Sequence, residues 1–344
     1  MRILAIETSC DETAIALVDA DGGLRAPRFK VLENLVASQI TIHRPFGGVV
    51  PNLAKREHQK NLPILYKKLQ TINYKQKIDL LTVTVGPGLE PALWTGINFA
   101  EELRIKNKEL RIAGANHLSG HLYSFLLSQK KLDKNIFPAI ALVISGGHTI
   151  LLLMKDLAHY KKIGETRDDA VGECFDKVAR LLKLPYPGGP EIEKLAKLGN
   201  SKAIDFPRPM LNQKNYDFSF SGLKTSVLYY LRDHKLQTTN SKADIAASFQ
   251  AAAFDSLIKK TLRAVEEFGA KSVMISGGVA ANKSLRKAFN KQLITYNKQQ
   301  KDKVKLFVTK FPTDNAAMIA AGAYIDFLNK KKYKMIADGN LTLK

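Results

Sequence analysis

The sequence predicts an α/β protein of two lobes that repeat one plan of strands and helices, and three observations carry that prediction. The 344 residues are too many for one ordinary core and fit two lobes of typical domain size, with the cleft between lobes as the default place for a site. Two segments, Arg2 to Asp19 and Pro138 to Met154, each pair β-rich apolar runs across a polar turn, the signal of a hairpin with a polar tip. Each is followed by a strand leading into a helix: Leu80 to Val85 into Pro91 to Leu103, and Lys305 to Val308 into Asp314 to Leu328.

Taken in order, Met1 to Ile6 already reads as a buried strand, so no targeting peptide is expected ahead of the fold. Gly96 and Ala100 in the first helix, and Ala316, Ala317, Ala320, Ala321 and Gly322 in the last, form small-residue faces that permit close helix crossing; alanine is also simply a good helix former. The polar run Ser128 to Asn135 marks the lobe boundary, giving lobes over 1–132 and 133–328 and a tail over 329–344, with a return of the helix near 314–328 to the first lobe left open. In the second lobe, helices are expected over Val171 to Leu184, Ile192 to Leu198 and Lys242 to Phe268. A glycine turn, Val273 to Val279, joins a strand to a helix beginning near Ala281 and offers backbone amides to an anion or a nucleotide sugar.

Composition narrows the class. With 45% apolar and 25% charged residues, and no run near the ~18 uninterrupted apolar residues of a membrane helix, the chain reads as a soluble globular protein. Cys10 and Cys174 stand far apart, which suggests neither a disulfide framework nor a thiolate zinc site and fits a reducing cytosol. The formal charge of +21 favours association with polyanions such as nucleic acid, although lysine runs such as Lys67-Lys68, Lys130-Lys131, Lys298 to Lys305 and Lys330 to Lys334 also suit plain solvation.

Several residues could carry chemistry. His117 and His121 are four apart, which on a helix places both imidazoles on one face within reach of one ion, though solvated faces show the same spacing. No glutamate follows His117, so the His-Glu-x-x-His base of metalloproteases is missing. Asp314 opens the last helix either as its N-cap or as the carboxylate completing a facial two-histidine site suited to iron or another divalent ion. Val143-Ile144-Ser145-Gly146-Gly147-His148 has glycines that let backbone approach a phosphate or acyl group, as any tight hairpin would. Asp176 and Lys177 read as a solvent-facing salt pair, or Asp176 as a holder of ribose hydroxyls.

In order along the chain, Glu7-Thr-Ser-Cys-Asp-Glu-Thr13, Gly47-Gly-Val-Val-Pro51, Gly86-Pro-Gly-Leu89, His117 with His121, Ser145-Gly-Gly-His-Thr149, Asp168-Asp169, Phe175-Asp-Lys177, Tyr186-Pro-Gly-Gly-Pro190, Phe206-Pro-Arg-Pro209, Phe218-Ser-Phe-Ser-Gly-Leu-Lys224, Ser276-Gly-Gly-Val279 with Asn282, and Thr313-Asp-Asn-Ala-Ala-Met318 resemble the bacterial transfer RNA N6-adenosine threonylcarbamoyltransferase family. The resemblance runs from Met1 to about residue 328 and implies an actin, sugar-kinase and Hsp70-like (ASKHA) fold. It implies transfer of threonylcarbamoyl from threonylcarbamoyl-AMP to N6 of the adenosine 3′ of the anticodon, in transfer RNAs reading codons that begin with A. It further implies that His117, His121 and Asp314 hold a divalent metal, usually iron, and that Val143, Ile144, Ser145, Gly146 and Gly147 line the substrate. Asp176, Gly189, Glu193 and Asn282 would bind its threonyl and adenylate parts. An inactive, TsaB-like paralogue lacking the histidine pair and a small, TsaE-like ATPase are the implied partners, and the cytoplasm is the implied location.

Ser119 and Asn52 depart from the family pattern, which commonly has glutamate at both positions, and the tail lacks the usual Pro-Arg-Trp ending. Residue chemistry assigns no general base. Rival readings are a sugar-kinase-like phosphotransferase, which needs ATP and no histidine pair, a non-catalytic tRNA-modification scaffold, which needs no metal ligands, and a metalloprotease, which lacks its base.

Overall fold

A computed structural model describes residues 1–71, 77–129, 131–234 and 239–343; Lys130 and Lys344, from the boundary run and the tail, lie outside them. The chain divides into two compact units, 1–134 with 309–344, and 135–308. The second boundary therefore falls at 308/309 and not at 328, because the last helix and the tail pack within the first unit.

In the first unit, β1 (Arg2–Glu7), β2 (Glu12–Asp21), β3 (Arg28–Ser38), β4 (Leu80–Gly86) and β5 (Ile112–Asn116) form a sheet ordered β3-β2-β1-β4-β5. Strands β1 and β2 pair antiparallel through Ile3 with Val18 and Ala5 with Ala16, which is the predicted hairpin, while β4 and β5 add in parallel. β4 is buried along its whole length, as a central strand covered on both faces must be. Around the sheet lie α1 (Ile40–His43), α2 (Pro51–Thr71), α3 (Glu90–Lys106), α4 (His117–Tyr123) and α10 (Ala316–Leu328). The last of these is buried continuously from Ala316 to Asp326, which matches a helix apolar on every side. Its small-residue face does permit a close crossing: a Cβ on Gly322 would lie 2.7 Å from the Gly120 amide nitrogen of α4.

The second unit repeats the topology. It contains β6 (Ala139–Ile144), β7 (Thr149–Met154), β8 (Tyr160–Glu165), β9 (Ser272–Ser276) and β10 (Lys305–Val308), with α5 (Val171–Leu181), α6 (Gly188–Ala196), α7 (Ser221–Asp233), α8 (Thr239–Glu267) and α9 (Lys283–Lys298). Its sheet order, β8-β7-β6-β9-β10, is that of the first sheet with each strand replaced by its counterpart five places later. The duplication is real, but its members pair differently from the sequence expectation. The counterpart of Leu80 to Val85 is β9, and that of Lys305 to Val308 is β5, because strand order in the sheet, not resemblance of apolar runs, defines equivalence.

Candidate metal centre and ligand-binding turns

In the first unit β5 runs straight into α4, and Asn116 makes the junction by accepting hydrogen bonds from the amides of Leu118 and Ser119 at 2.8 and 3.2 Å. His117 and His121 then fall on one side of the helix, at 5% and 0% exposure, which removes the solvated-pair reading. Their rings meet edge to face at 4.6 Å. Asp314 is not the cap of α10; that role belongs to Asn315, whose side-chain oxygen accepts from the Met318 amide at 3.0 Å. Asp314 instead turns an oxygen to His121 Nε2 at 3.1 Å and His117 Nε2 at 3.6 Å. The three residues present one ligand atom each within 4.8 Å of one another, the two-histidine, one-carboxylate set expected from sequence.

Glu7, at the buried end of β1, sets the state of this cluster. Its carboxylate accepts from the Ser9 amide, from Thr84 Oγ1 at 2.7 Å and from His117 Nδ1 at 3.1 Å. A proton held on Nδ1 leaves the Nε2 lone pair of His117 directed toward Asp314. Burial works against charge on His117, yet Asp314 and Glu7 outweigh it and push the imidazole up to about 9. Burial also tends to raise Glu7, but the His117 charge and hydrogen bonds from His117 and Ser9 leave it lowered. Burial is the main cause that lowers His121, and among the described residues its Nδ1 has no hydrogen-bond partner. His117 thus lies between two carboxylates that favour positive charge at its ring, beside the imidazole of His121 that burial disfavours charging, and a cation facing the two Nε2 atoms would take the place of a proton there. That donor set and charge balance fit a divalent cation.

Sequence reasoning missed Glu7, Ser9 and Thr84, although Glu7 and Ser9 lie in the hairpin-tip motif Glu7 to Thr13. It also missed what the Gly47 to Pro51 segment packs on. His58 donates from Nε2 to the Cys10 carbonyl at 3.0 Å and accepts from Thr13 Oγ1 at 2.8 Å, while His43 donates to Gln39 Oε1 at 3.0 Å and accepts from the Val50 amide at 3.3 Å. Burial lowers both imidazoles, so this neutral network fastens the loop to the turn beside the histidine–carboxylate cluster. Glu12, by contrast, is raised well above the usual range by burial and by Asp11, Asp314 and Glu7.

In the second unit the predicted ligand residues gather through direct contacts. Val143 and Ile144 are fully buried in β6, where Val143 pairs with Ile150 of β7 and Ser276 of β9 and Ile144 with Thr149, so the surface a ligand could meet begins at the turn that follows them. The β6–β7 turn is closed by the Ser145 amide on the His148 carbonyl at 2.8 Å, and space is open where Gly146 and Gly147 would carry a Cβ. Gly277, at φ +91°, approaches the same strand end: a Cβ there would lie 2.2 Å from the Ile144 carbonyl oxygen, so glycine is required. Lys177 binds Asp169 and Glu173 at 2.7 and 2.8 Å, while Asp176 accepts from the Gly188 amide at 2.7 Å and fixes the start of α6 next to open Gly189. Glu193 accepts from the amide and hydroxyl of Ser284 at 2.9 and 3.1 Å, and Asn282 caps α9 through the Leu285 amide at 2.9 Å. Asp168 receives both hydroxyls and both amides at the start of α7, from Ser219, Phe220 and Ser221, which explains why Asp168 and the Phe218 to Lys224 motif occur together.

Two five-stranded α/β units of the same topology, one carrying a histidine–carboxylate cluster, define an ASKHA-type protein. Solved structures bear out the fold: full-length HypF in its phosphate- and nucleotide-bound form aligns with TM-score 0.57 at 14% identity, covering 96% of this chain and 55% of that one. HypF of T. kodakarensis aligns with TM-score 0.63 at 15% identity, over 96% of this chain and 48% of that one, so the present chain spans about half the length of either. The chain belongs to the tRNA N6-adenosine threonylcarbamoyltransferase family, which it matches over residues 30–321. Relatives bearing that name come from Thermosipho africanus, 47% identical over 94% of both chains, and Moorella thermoacetica, 46% identical over 96% of this chain and 93% of the other. A third, from Anoxybacillus flavithermus, is 42% identical over 100% of this chain and 97% of its own length.

Proposed function

We propose that this chain transfers the threonylcarbamoyl group of threonylcarbamoyl-AMP to N6 of the adenosine 3′ of the anticodon, in transfer RNAs reading codons that begin with A. Membership of the family supports this reading, and the observation that carries it is the buried convergence of His117, His121 and Asp314 around Glu7. In the reaction the adenine amine attacks the carbamoyl carbon, the bond to the phosphate oxygen breaks and AMP leaves, so negative charge builds on the carbamoyl oxygen and the departing phosphate. A divalent metal, iron by family resemblance, supplies positive charge to meet it. His117 and His121 offer ring nitrogens for that ion, Asp314 offers a carboxylate oxygen, and Glu7 keeps the His117 proton on Nδ1.

The glycine turns at Ser145 to Gly147 and at Gly277, with Asp176, Gly189, Glu193 and Asn282, are the part of the second unit we assign to the acyl-adenylate. Open backbone at Gly146, Gly147 and Gly189 favours this assignment. In the cell the protein works in the cytoplasm with a paralogue lacking the histidine pair and a small ATPase. No helix among the described residues is long and apolar enough to cross a membrane.

The test is mass spectrometry of nucleosides from unmodified transfer RNA incubated with this protein, threonine, bicarbonate, ATP, the adenylate synthase and the partner proteins, beside a His117→Ala control. N6-threonylcarbamoyladenosine is expected with the intact protein alone. Absence of product under a verified adenylate supply would reject the assignment.

A further inference from the structure

We propose that the C-terminal segment 330–343 is a strap that positions the metal helix α4, with Tyr333, Asp326 and Asn116 as positioning residues; this rests on reading His117, His121 and Asp314 as metal ligands. With only seven residues, α4 is less than two turns long, too short to hold its own geometry. The separation of its two histidines from Asp314 is therefore set by what it packs against.

The path of the segment shows what that is. After α10 the chain turns at Lys330, in the left-handed region at φ 58°. From there side chains alternate: Tyr333, Met335, Ala337 and Leu341 pack on the core of the first unit, while Lys332, Lys334, Ile336 and Asp338 are exposed. The Asp338 amide donates to the Val85 carbonyl at 2.8 Å, and a Cβ on Gly86 would lie 2.0 Å from the Asp338 carbonyl oxygen, so the strap seals the end of β4.

The strap then reaches α4 at two points. At the helix start, Asn116 Nδ2 donates to the Thr342 carbonyl at 3.0 Å while its oxygen caps the helix, so one side chain joins strap and cap. At the helix middle, Ser119, Asp326 of α10 and Tyr333 of the strap face one another. The Ser119 hydroxyl, both Asp326 oxygens and the Tyr333 hydroxyl are buried, and their contacts are looser than well-formed hydrogen bonds. Among the described residues they find no hydrogen-bond partner elsewhere, and a buried oxygen left alone costs roughly 1–3 kcal/mol. Withdrawal of Tyr333 would leave Asp326 with Lys331 and with Ser119, which stands between the two histidines on α4.

The proposal is tested by titrating Co2+ into the full chain, followed by its visible absorption, and by hydrogen exchange at the Asp338 amide. The proteins are wild type, His117→Ala, Tyr333→Ala, Tyr333→Phe and Asn116→Ser, the last of which keeps a capping oxygen and loses the donor to Thr342. Co2+ affinity is expected to fall about tenfold in Tyr333→Ala and Asn116→Ser and less in Tyr333→Phe, with faster exchange at Asp338, as outer contacts to a metal site generally cost that much. Affinity within about twofold of wild type while Asp338 exchanges freely overturns the strap, as does unchanged exchange and affinity in Asn116→Ser. Should Tyr333→Ala fail to fold, Tyr333→Phe and Asn116→Ser decide the matter. Wild type that binds Co2+ no better than His117→Ala overturns the metal reading itself, an outcome separate from failure of the strap.

Discussion

Asp314 and Asn315 are neighbours with separate tasks, one facing the histidines and the other capping α10. Asn315→Ala is therefore expected to lower stability by about 1 kcal/mol in denaturant unfolding. Asp314→Ala should abolish metal binding in a calorimetric titration while leaving the unfolding midpoint nearly unchanged; the reverse pattern would reassign the two side chains. Glu7→Gln should weaken metal affinity by about 10- to 100-fold, because an amide can present its NH2 group to Nδ1 and favour the wrong tautomer of His117. Asp326 supplies a pH dependence. Burial raises its carboxyl to about 6, with Lys331 and the Ser119 and Tyr333 hydroxyls opposing. The fold thus binds the proton more tightly than the unfolded chain does, so stability is highest below the ordinary carboxylate value of 3.8 and declines as pH rises toward 6. Asp326→Asn removes that decline. Its stabilising effect should be larger at pH 8 than at pH 5, by on the order of 1 kcal/mol, and an equal effect at both pH values would contradict the burial of an ionisable group.

At the scale of elements, two junctions decide whether the sites form. The crossing of α10 on α4 leaves no room at Gly322, where a Cβ would meet the Gly120 amide at 2.7 Å. Gly322→Val should cost about 1–3 kcal/mol through overpacking and displace α4, so that metal affinity falls together with stability; retained affinity would show that the crossing does not set the histidines. The other junction is the start of α7. No side chain of its own caps it, and Asp168 does so from a distant loop by accepting from the Phe220 and Ser221 amides at 2.8 and 3.2 Å. Because Asp168 is partly exposed, Asp168→Ala should cost only about 1 kcal/mol, readable as faster amide exchange at Phe220 and Ser221.

Across the whole molecule, the hairpins and the duplication were legible because alternation and apolar runs are imposed by burial. Strands β3 and β8 were not, since edge positions tolerate the mixed sequences Arg28–Ser38 and Tyr160–Glu165. The histidine pair was legible by spacing, and its meaning came from burial that no spacing encodes. Glu7 was hidden because a carboxylate at a strand end looks the same whether it meets water or an imidazole. The contact of Asp176 with the Gly188 amide was not legible, because that partner lies twelve residues along and is backbone. Net charge of +21 belongs to this scale as well: transfer RNA affinity should fall linearly in logarithm with salt, by roughly 10³-fold between about 50 and 200 mM if six phosphates are held, and a flat profile would dissociate the charge from RNA binding.

The division of the chain has one more consequence, for synthesis on the ribosome. Residues 135–308 are continuous, and all their partners have been translated by the time Val308 emerges, whereas the first unit waits for 309–344. Domains fold as units during synthesis, so the middle of the chain can be complete while its beginning still lacks Asp314, α10 and the segment beneath α4. Any translation product that stops before Asp314 would carry both histidines with no carboxylate between them.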